Sequence, residues 1–328
     1  MQLSSGTQPT LLRDATLREG VDTPGVRFSP DDGVQIARAL ARAGVPEAEV
    51  VAPSRVLEEL NFARRLRDEH VGIRTSGLIY SAGPRCREEI EQSSKDLDHF
   101  DLLMPLSSQR EPRERGAKKT VLLDALRIAL ALGADAGAGF PHSTQVDPAF
   151  LAEMAEEAAR HGAARITIYD TNGSGDPFAV YALIESLRKR ISAPLFFHGH
   201  NDLGMATANS LAAVLAGADG LDVTINGLGD RAGNASLEQV VMALGRRGRN
   251  CGVDPSALGG LSNLVEKLSG VPVSKLAPVV GEFAFAHKSP AHLTAPAEFE
   301  AFEPAALGRA RTIDRDNPGS RASNRRQS

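Results

Sequence analysis

The sequence predicts an α/β fold, a closed (β/α)8 TIM barrel with a short C-terminal helical/extended appendage. Short β-branched runs alternate with amphipathic helical segments through eight repeats. Eight such units in about 250 residues match a closed parallel barrel, whereas a doubly wound sheet usually needs fewer. Several helical segments open on a capping side chain followed by proline, and 31 glycines and 19 prolines suit a chain with many tight connections.

Strands are expected at 11–17, 48–52, 72–79, 100–104, 134–140, 164–170, 194–198 and 220–226. Helices are expected at about 30–43, 54–69, 84–97, 119–132, 147–160, 177–191, 204–216 and 235–247. Ser29-Pro30, Asp147-Pro148 and Asp176-Pro177 mark three of the helix starts. After Pro177, the residues Val180, Leu183, Ile184, Leu187 and Ile191 form one apolar face that should lie against the barrel wall. Gly44 and Gly133 stand where C-terminal caps belong, just past helices.

The barrel is expected to occupy residues 1–250 and the appendage 251–307, the latter with a helix at 254–268 and then a Pro-rich extended stretch. Residues 308–328 carry six Arg against two Asp and almost nothing apolar, the composition of a disordered basic tail.

Bulk properties exclude several functions. A formal net charge of −4 gives no electrostatic footprint for nucleic acid. The basic run at 109–119 reads as a solvated loop and helix start. The most apolar long stretch, 121–132, is interrupted by Asp124 and Arg127, so no membrane span is expected. No secretory signal opens the chain, and Cys86 and Cys251 are too few for a disulfide framework, so a cytoplasmic protein with reduced thiols is expected.

Chemistry in a parallel barrel sits at the C-terminal ends of the strands. The first strand is expected to end in Arg18 and Glu19, the seventh in His198 and His200. Two histidines two apart on a strand project to one face, here the interior, which is the geometry of a metal clamp. Glu19 can add an oxygen ligand, because strands seven, eight and one adjoin in a closed barrel. Arg18 is suited to neutralise an oxyanion developing on a polarised carbonyl. The glycine-rich run at 224–236 lets backbone approach a ligand and brings Asn234 within reach of the ion or its water.

Taken together, DATLREG, HGHNDLGMATANSLAAVLAGA, NGLGDRAGNASLEQVVMAL and FAHKSPAH resemble the signatures of the DRE-TIM metallolyases. Within that superfamily they resemble the homocitrate synthase and 2-isopropylmalate synthase branch, nearest to homocitrate synthases of the nitrogenase-cofactor type. The resemblance runs from Leu11 to Leu307. It implies a divalent cation (Mg, Mn, Zn or Fe) on Glu19, His198 and His200 with Asn234 nearby, Arg18 acting on a 2-oxo acid, and Thr171 holding its carboxylate. It further implies Glu49 as a pocket carboxylate. His292 is implied to come from the appendage into a neighbouring subunit's site, hence a homodimer. The reaction implied is a Claisen-type condensation of an acyl-CoA, acetyl-CoA in the first place, with a 2-oxo acid, releasing CoA.

The chain departs from the pattern at the pocket. Registered on Asp147-Pro148, the residues Pro141, His142 and Gln145 stand where these synthases have a catalytic Glu, an Asp and an Arg, and Asn172 replaces the Val of a DTVG motif. A changed 2-oxo acid, or a related carbon-carbon reaction in specialised metabolism, is expected. The rival readings are an acyl-CoA lyase or aldolase on the same site and a non-catalytic ligand-binding barrel. Lyases of the HMG-CoA type carry a Cys in the loop after strand eight, where this chain has Gly229-Asp230-Arg231.

Overall fold

The computed structural model describes residues 9–106 and 112–314. Within these, β1 (Leu11–Asp14), β2 (Glu47–Val51), β3 (Arg74–Tyr80), β4 (His99–Leu103), β5 (Ala136–Phe140), β6 (Ile166–Asp170), β7 (Leu195–Gly199) and β8 (Gly220–Val223) form a closed parallel barrel in sequential order. Closure is direct: Leu11 pairs with Gly220 and Asp14 with Val223. The strands are followed in turn by α1 (Pro30–Arg42), α2 (Val56–Asp68), α3 (Cys86–Asp96), α4 (Pro112–Ala131), α5 (Pro148–Arg160), α6 (Pro177–Arg188), α7 (Ala206–Leu215) and α8 (Leu237–Arg246). Among the described residues, no helix is long and apolar enough to cross a membrane.

The expected caps form. Ser29 accepts from the Asp32 amide, Asp147 from Ala149, and Asp176 from Phe178 and Ala179. Gly44 and Gly133 adopt the left-handed conformation that ends a helix, at φ +88° and +75°. On α6, Val180, Ile184 and Leu187 are buried, with Leu183 partly so.

Four expectations need correction. β1 stops at Asp14 rather than 17, because the Ala15 carbonyl accepts the amides of Arg18, Glu19 and Gly20 and turns the chain. β8 stops at Val223 rather than 226, where Asn226 enters a left-handed conformation at φ +59°. α4 begins at Pro112, so the basic run from there to Lys119 belongs to a helix; residues 109–111 lie outside the described part. The appendage is less extended than its proline content suggests and its order reaches further: after α9 (Leu258–Ser269) it builds β9 (Ala286–His287), the short α10 (Pro290–Thr294) and β10 (Thr312–Ile313), which pairs parallel to β9. Arg309 and Arg311, expected in a disordered tail, donate to the carbonyls of Val279 and Gly281 and to Glu300 and Glu303. Residues 315–328 of that tail lie outside the described part.

Strand alternation sorts the barrel into two environments. Outward residues such as Leu12, Ile79, Leu102, Ile168 and Leu221 are fully buried beneath the helices. Each contributes about 1.5–3 kcal/mol by leaving water. The interior is filled mainly by charge. At the N-terminal end Arg165 makes two hydrogen bonds to Glu47, at 2.9 and 2.8 Å, and lies over the Phe196 ring. Gly220 is needed there, since a Cβ would overlap that ring. Above this layer Arg13, fully buried, donates to Asp222 at 2.7 Å from two nitrogens, to Asp101 at 2.9 Å, and lies 3.2 Å from Glu49. Uppermost, Leu78, Leu103 and Tyr169 form a small apolar cluster.

Burial pushes the Glu47 carboxyl up, but Arg165, with Arg13 and His99 behind it, outweighs this and holds it at about 2. Removing one partner of such a pair strands the other. Arg165→Met is expected to cost about 3–5 kcal/mol of stability, and pairing it with Glu47→Gln should recover part of the loss. Urea denaturation of the single and double variants checks this.

Candidate active site

The mouth of the barrel is organised from the ends of β1, β7 and β8. In the turn after β1, the Asp14 carboxylate accepts the Thr16 amide at 2.9 Å, and the Thr16 hydroxyl accepts the Ile225 amide at 2.8 Å from beyond β8. This ties the turn to its neighbour and places Arg18 and Glu19 over the mouth, where an uninterrupted strand would have carried them past it. His198 points inward from β7, and His200, one residue past the strand, is held by a bridge to Asn234.

These pieces converge. One ligand atom from each of Glu19, His198 and His200 lies within 4.8 Å of the others, and all three residues are buried. The His198 Nδ1 stands 3.0 Å from Asp222, the same carboxylate that receives Arg13. Its Nε2 is thereby left for a ligand, the arrangement that metal-binding histidines require. The Nε2 of His200 is 3.4 Å from Glu19, while its Nδ1 is buried without a partner, as is the Asn234 side-chain oxygen.

The electrostatics suit a cation. Burial lowers the His200 imidazole to about 4, helped by His198, Arg231 and Arg18 and opposed by Glu19, so its ring is neutral at pH 7. Burial alone would push Glu19 up, yet Arg18, His198, His200 and Asn234 bring it down to about 2. A carboxylate oxygen with two imidazole nitrogens fits a divalent ion, and these donors alone do not choose among Mg, Mn, Zn and Fe.

The cluster opens into a cavity of about 500 Å³ whose lining includes Arg18, Glu19, Tyr169, Thr171, His198 and His200. Arg18 is gripped by carboxylates: its Nε donates to Glu49 at 2.5 Å, and it also pairs with Glu19. Glu49 therefore sits between Arg18 and Arg13 as a support beneath the site. Thr171 lines the cavity, and its hydroxyl oxygen accepts the His142 amide at 2.9 Å.

Two of the expected pocket residues sit at the rim. Asn172 and Gln145 are exposed and bond each other at 3.2 Å, with Asn172 also 3.2 Å from the ring of His142; of these three only His142 lines the cavity. His292 does not line the cavity of its own barrel and instead stacks on Phe299. The glycine-rich loop uses its glycines for its own closure: Gly233, at φ +80°, has no room for a Cβ against the Gly227 carbonyl.

Sequence reasoning passed over Arg13, Asp222, Tyr169 and Arg231. The first three occupy inward positions on strands, and that polarity was the available signal. Arg231 donates to Asp202 at 2.7 and 2.9 Å, to the Thr171 carbonyl at 2.7 Å and to Asp230 at 2.9 Å, clamping together the loops after β6, β7 and β8.

If Asp222 sets the orientation of His198, then Asp222→Asn should weaken divalent-metal binding by roughly ten- to a hundredfold. Titration of metal into apo-protein, with thermal unfolding as a check on folding, measures this, and unchanged affinity would count against the assignment.

Known proteins resemble this chain in sequence and in fold. The HMGL-like family model matches residues 10–265. The chain is 35% identical over 308 residues to homocitrate synthase 1 of Nostoc sp. (strain PCC 7120 / SAG 25.82 / UTEX 2576), covering 91% of this chain and 81% of that protein. It is 33% identical over 317 residues to 2-isopropylmalate synthase 2 of Caldanaerobacter subterraneus subsp. tengcongensis, covering 93% and 81% respectively. The crystal structure of the HMG-CoA lyase of Bacillus subtilis superposes with a TM-score of 0.70 over 81% of this chain and 95% of that one, at 18% identity, which is a likeness of fold. The chain belongs to the HMGL-like (DRE-TIM) family, whose model spans its barrel and whose similar members include homocitrate and 2-isopropylmalate synthases.

Proposed function

We propose that this protein is an acyltransferase that condenses an acyl-CoA, acetyl-CoA in the first place, with a 2-oxo acid, giving a 2-hydroxy acid with a new carbon-carbon bond and free CoA. The observation that carries the reading is the buried convergence of Glu19, His198 and His200 at the floor of a polar cavity beside Arg18. The relatives named above are synthases of this kind. Glu19, His198 and His200 would hold a divalent cation, which would supply Lewis-acid polarisation of the 2-oxo acid's ketone.

The chain's own groups do the rest. Arg18, steadied by Glu49, faces the cavity with a fixed positive charge where the ketone oxygen becomes an alkoxide. Because the Thr171 oxygen accepts the His142 amide, its own hydrogen is free to be donated to the substrate carboxylate. The proton that leaves the acyl-CoA α-carbon passes to His292 of a second copy, so the working unit is a homodimer. The carbanion attacks the ketone, and water then cleaves the thioester to release the thiol. The replacements around Pro141, together with Asn172 and Gln145 at the rim, are consistent with an altered 2-oxo acid.

Metal-loaded protein incubated with acetyl-CoA and a panel of 2-oxo acids should release free thiol with one of them. Arg18→Gln should lower kcat/KM by about a hundredfold or more. Absence of thiol release with every oxo acid would favour the lyase or ligand-binding alternatives. For the shared site, mixing inactive His292→Ala and inactive Arg18→Gln chains should restore part of the activity, and no recovery would reject the dimeric arrangement.

A further inference from the structure

A group of polar side chains in the appendage, outside the barrel cavity, is arranged in series. Glu300 Oε1 lies 3.0 Å from His287 Nε2, and His287 Nδ1 lies 3.3 Å from His292 Nδ1. Arg311 donates from Nε to both Glu300 oxygens, at 2.8 and 2.9 Å. The His292 ring is stacked on Phe299, centroids 4.0 Å apart and planes 15° from parallel, so its plane is fixed as well. Its Nε2 makes no hydrogen bond among the described residues.

The proton positions follow from the inventory of donors and acceptors. Arg311 and His287 both favour the charged form of Glu300, holding it below the usual carboxylate range, so Glu300 only accepts. His287 Nε2 must therefore carry a hydrogen. With a single proton on the His287 ring, its Nδ1 bears a lone pair, and the 3.3 Å contact is then a hydrogen bond donated from His292 Nδ1. That leaves the His292 lone pair on Nε2.

We propose that Glu300 and His287 act as a relay that locks His292 in its Nδ1–H tautomer and presents its Nε2 lone pair outward as a proton acceptor. His287 and Glu300 are thus positioning residues, and His292 the group they position. The catalytic use of this lone pair rests on the function proposed above. There it supplies a base to a site whose cavity-lining carboxylates are Glu19, Asp22 and Asp230. When Nε2 accepts the α-proton, the electron pair stays on carbon. The imidazolium charge spreads through the Nδ1–H toward His287 and Glu300.

The tautomer can be read without any turnover. Nitrogen-15 NMR of the full-length protein labelled at histidine should show His292 with a protonated Nδ1 and an unprotonated Nε2 at neutral pH. In His287→Phe it should shift toward the Nε2–H form that an unconstrained imidazole prefers. Glu300→Gln, which keeps the shape and removes the charge, should shift it the same way and decides the matter if His287→Phe does not fold. A wild-type His292 protonated on Nε2, or a tautomer unmoved in the folded variants, would overturn the relay. Once a substrate pair is known, His287→Phe should lower kcat by about tenfold or more with KM little changed, and an unchanged kcat would overturn the catalytic use of the lone pair. Absence of thiol release from wild-type protein would reject the proposed reaction and leave the NMR result standing.

Discussion

The Asp222 carboxylate, buried inside the barrel, accepts two hydrogen bonds from Arg13 and stands 3.0 Å from His198 Nδ1. Most of the interior depends on that arrangement. Burial alone would raise the carboxyl; Arg13 and His198 keep it ionised. Because it is ionised, it fixes which nitrogen of His198 faces the mouth. Arg13 in turn reaches Asp101 and Glu49, and Glu49 reaches Arg18. His198 and Arg18 are thus set by one connected network of buried charges, and neither can turn without stranding a partner.

Such an interior contributes little net stability, since the cost of desolvating charges offsets their attraction. Stability comes from the apolar shell between strands and helices, where side chains such as Ile36, Leu60, Ile90 and Leu151 are fully buried. The division matches the two ends of the barrel. At the N-terminal end the Glu47–Arg165 pair, closed over by Phe196, does structural work. At the C-terminal end the same kind of charge is left partly open to a cavity.

The loops above the mouth repeat the theme with longer reach. Arg231 joins three of them through Asp202, Asp230 and the Thr171 carbonyl, so a residue that lines the cavity is held by one that closes the loop set. In the appendage, Arg311 orders Glu300 and Glu303, and Glu300 in turn orders His287 and His292. In both the Asp222 and the Glu300 clusters arginine positions carboxylate and carboxylate positions imidazole, a consequence of arginine's planar array of donors and its permanent charge.

By itself the sequence determined the parts governed by local periodicity. The alternation of two- and 3.6-residue patterns specified eight strands and eight helices in the right order, with caps at Ser29, Asp147 and Asp176. The spacing of His198 and His200 put both on the inner face, and adjacency of the first and seventh-to-eighth strands brought Glu19 to them. Only the tertiary structure decided what depends on distant pairing. Arg13 meets Asp222 across 209 residues of chain, and strand alternation says that each points inward without saying which partner it finds. The turn at Ala15 depends on Thr16 being anchored by Ile225, again 209 residues away, so an apolar and β-branched run reads as strand beyond the point where the chain bends. Likewise Thr312–Ile313 look unstructured until the Phe285 carbonyl accepts the Thr312 amide and the His287 carbonyl accepts the Asp314 amide on either side of the pairing with β9. Periodicity is a property of neighbours along the chain, whereas a buried charge is defined by whichever group closes on it in space.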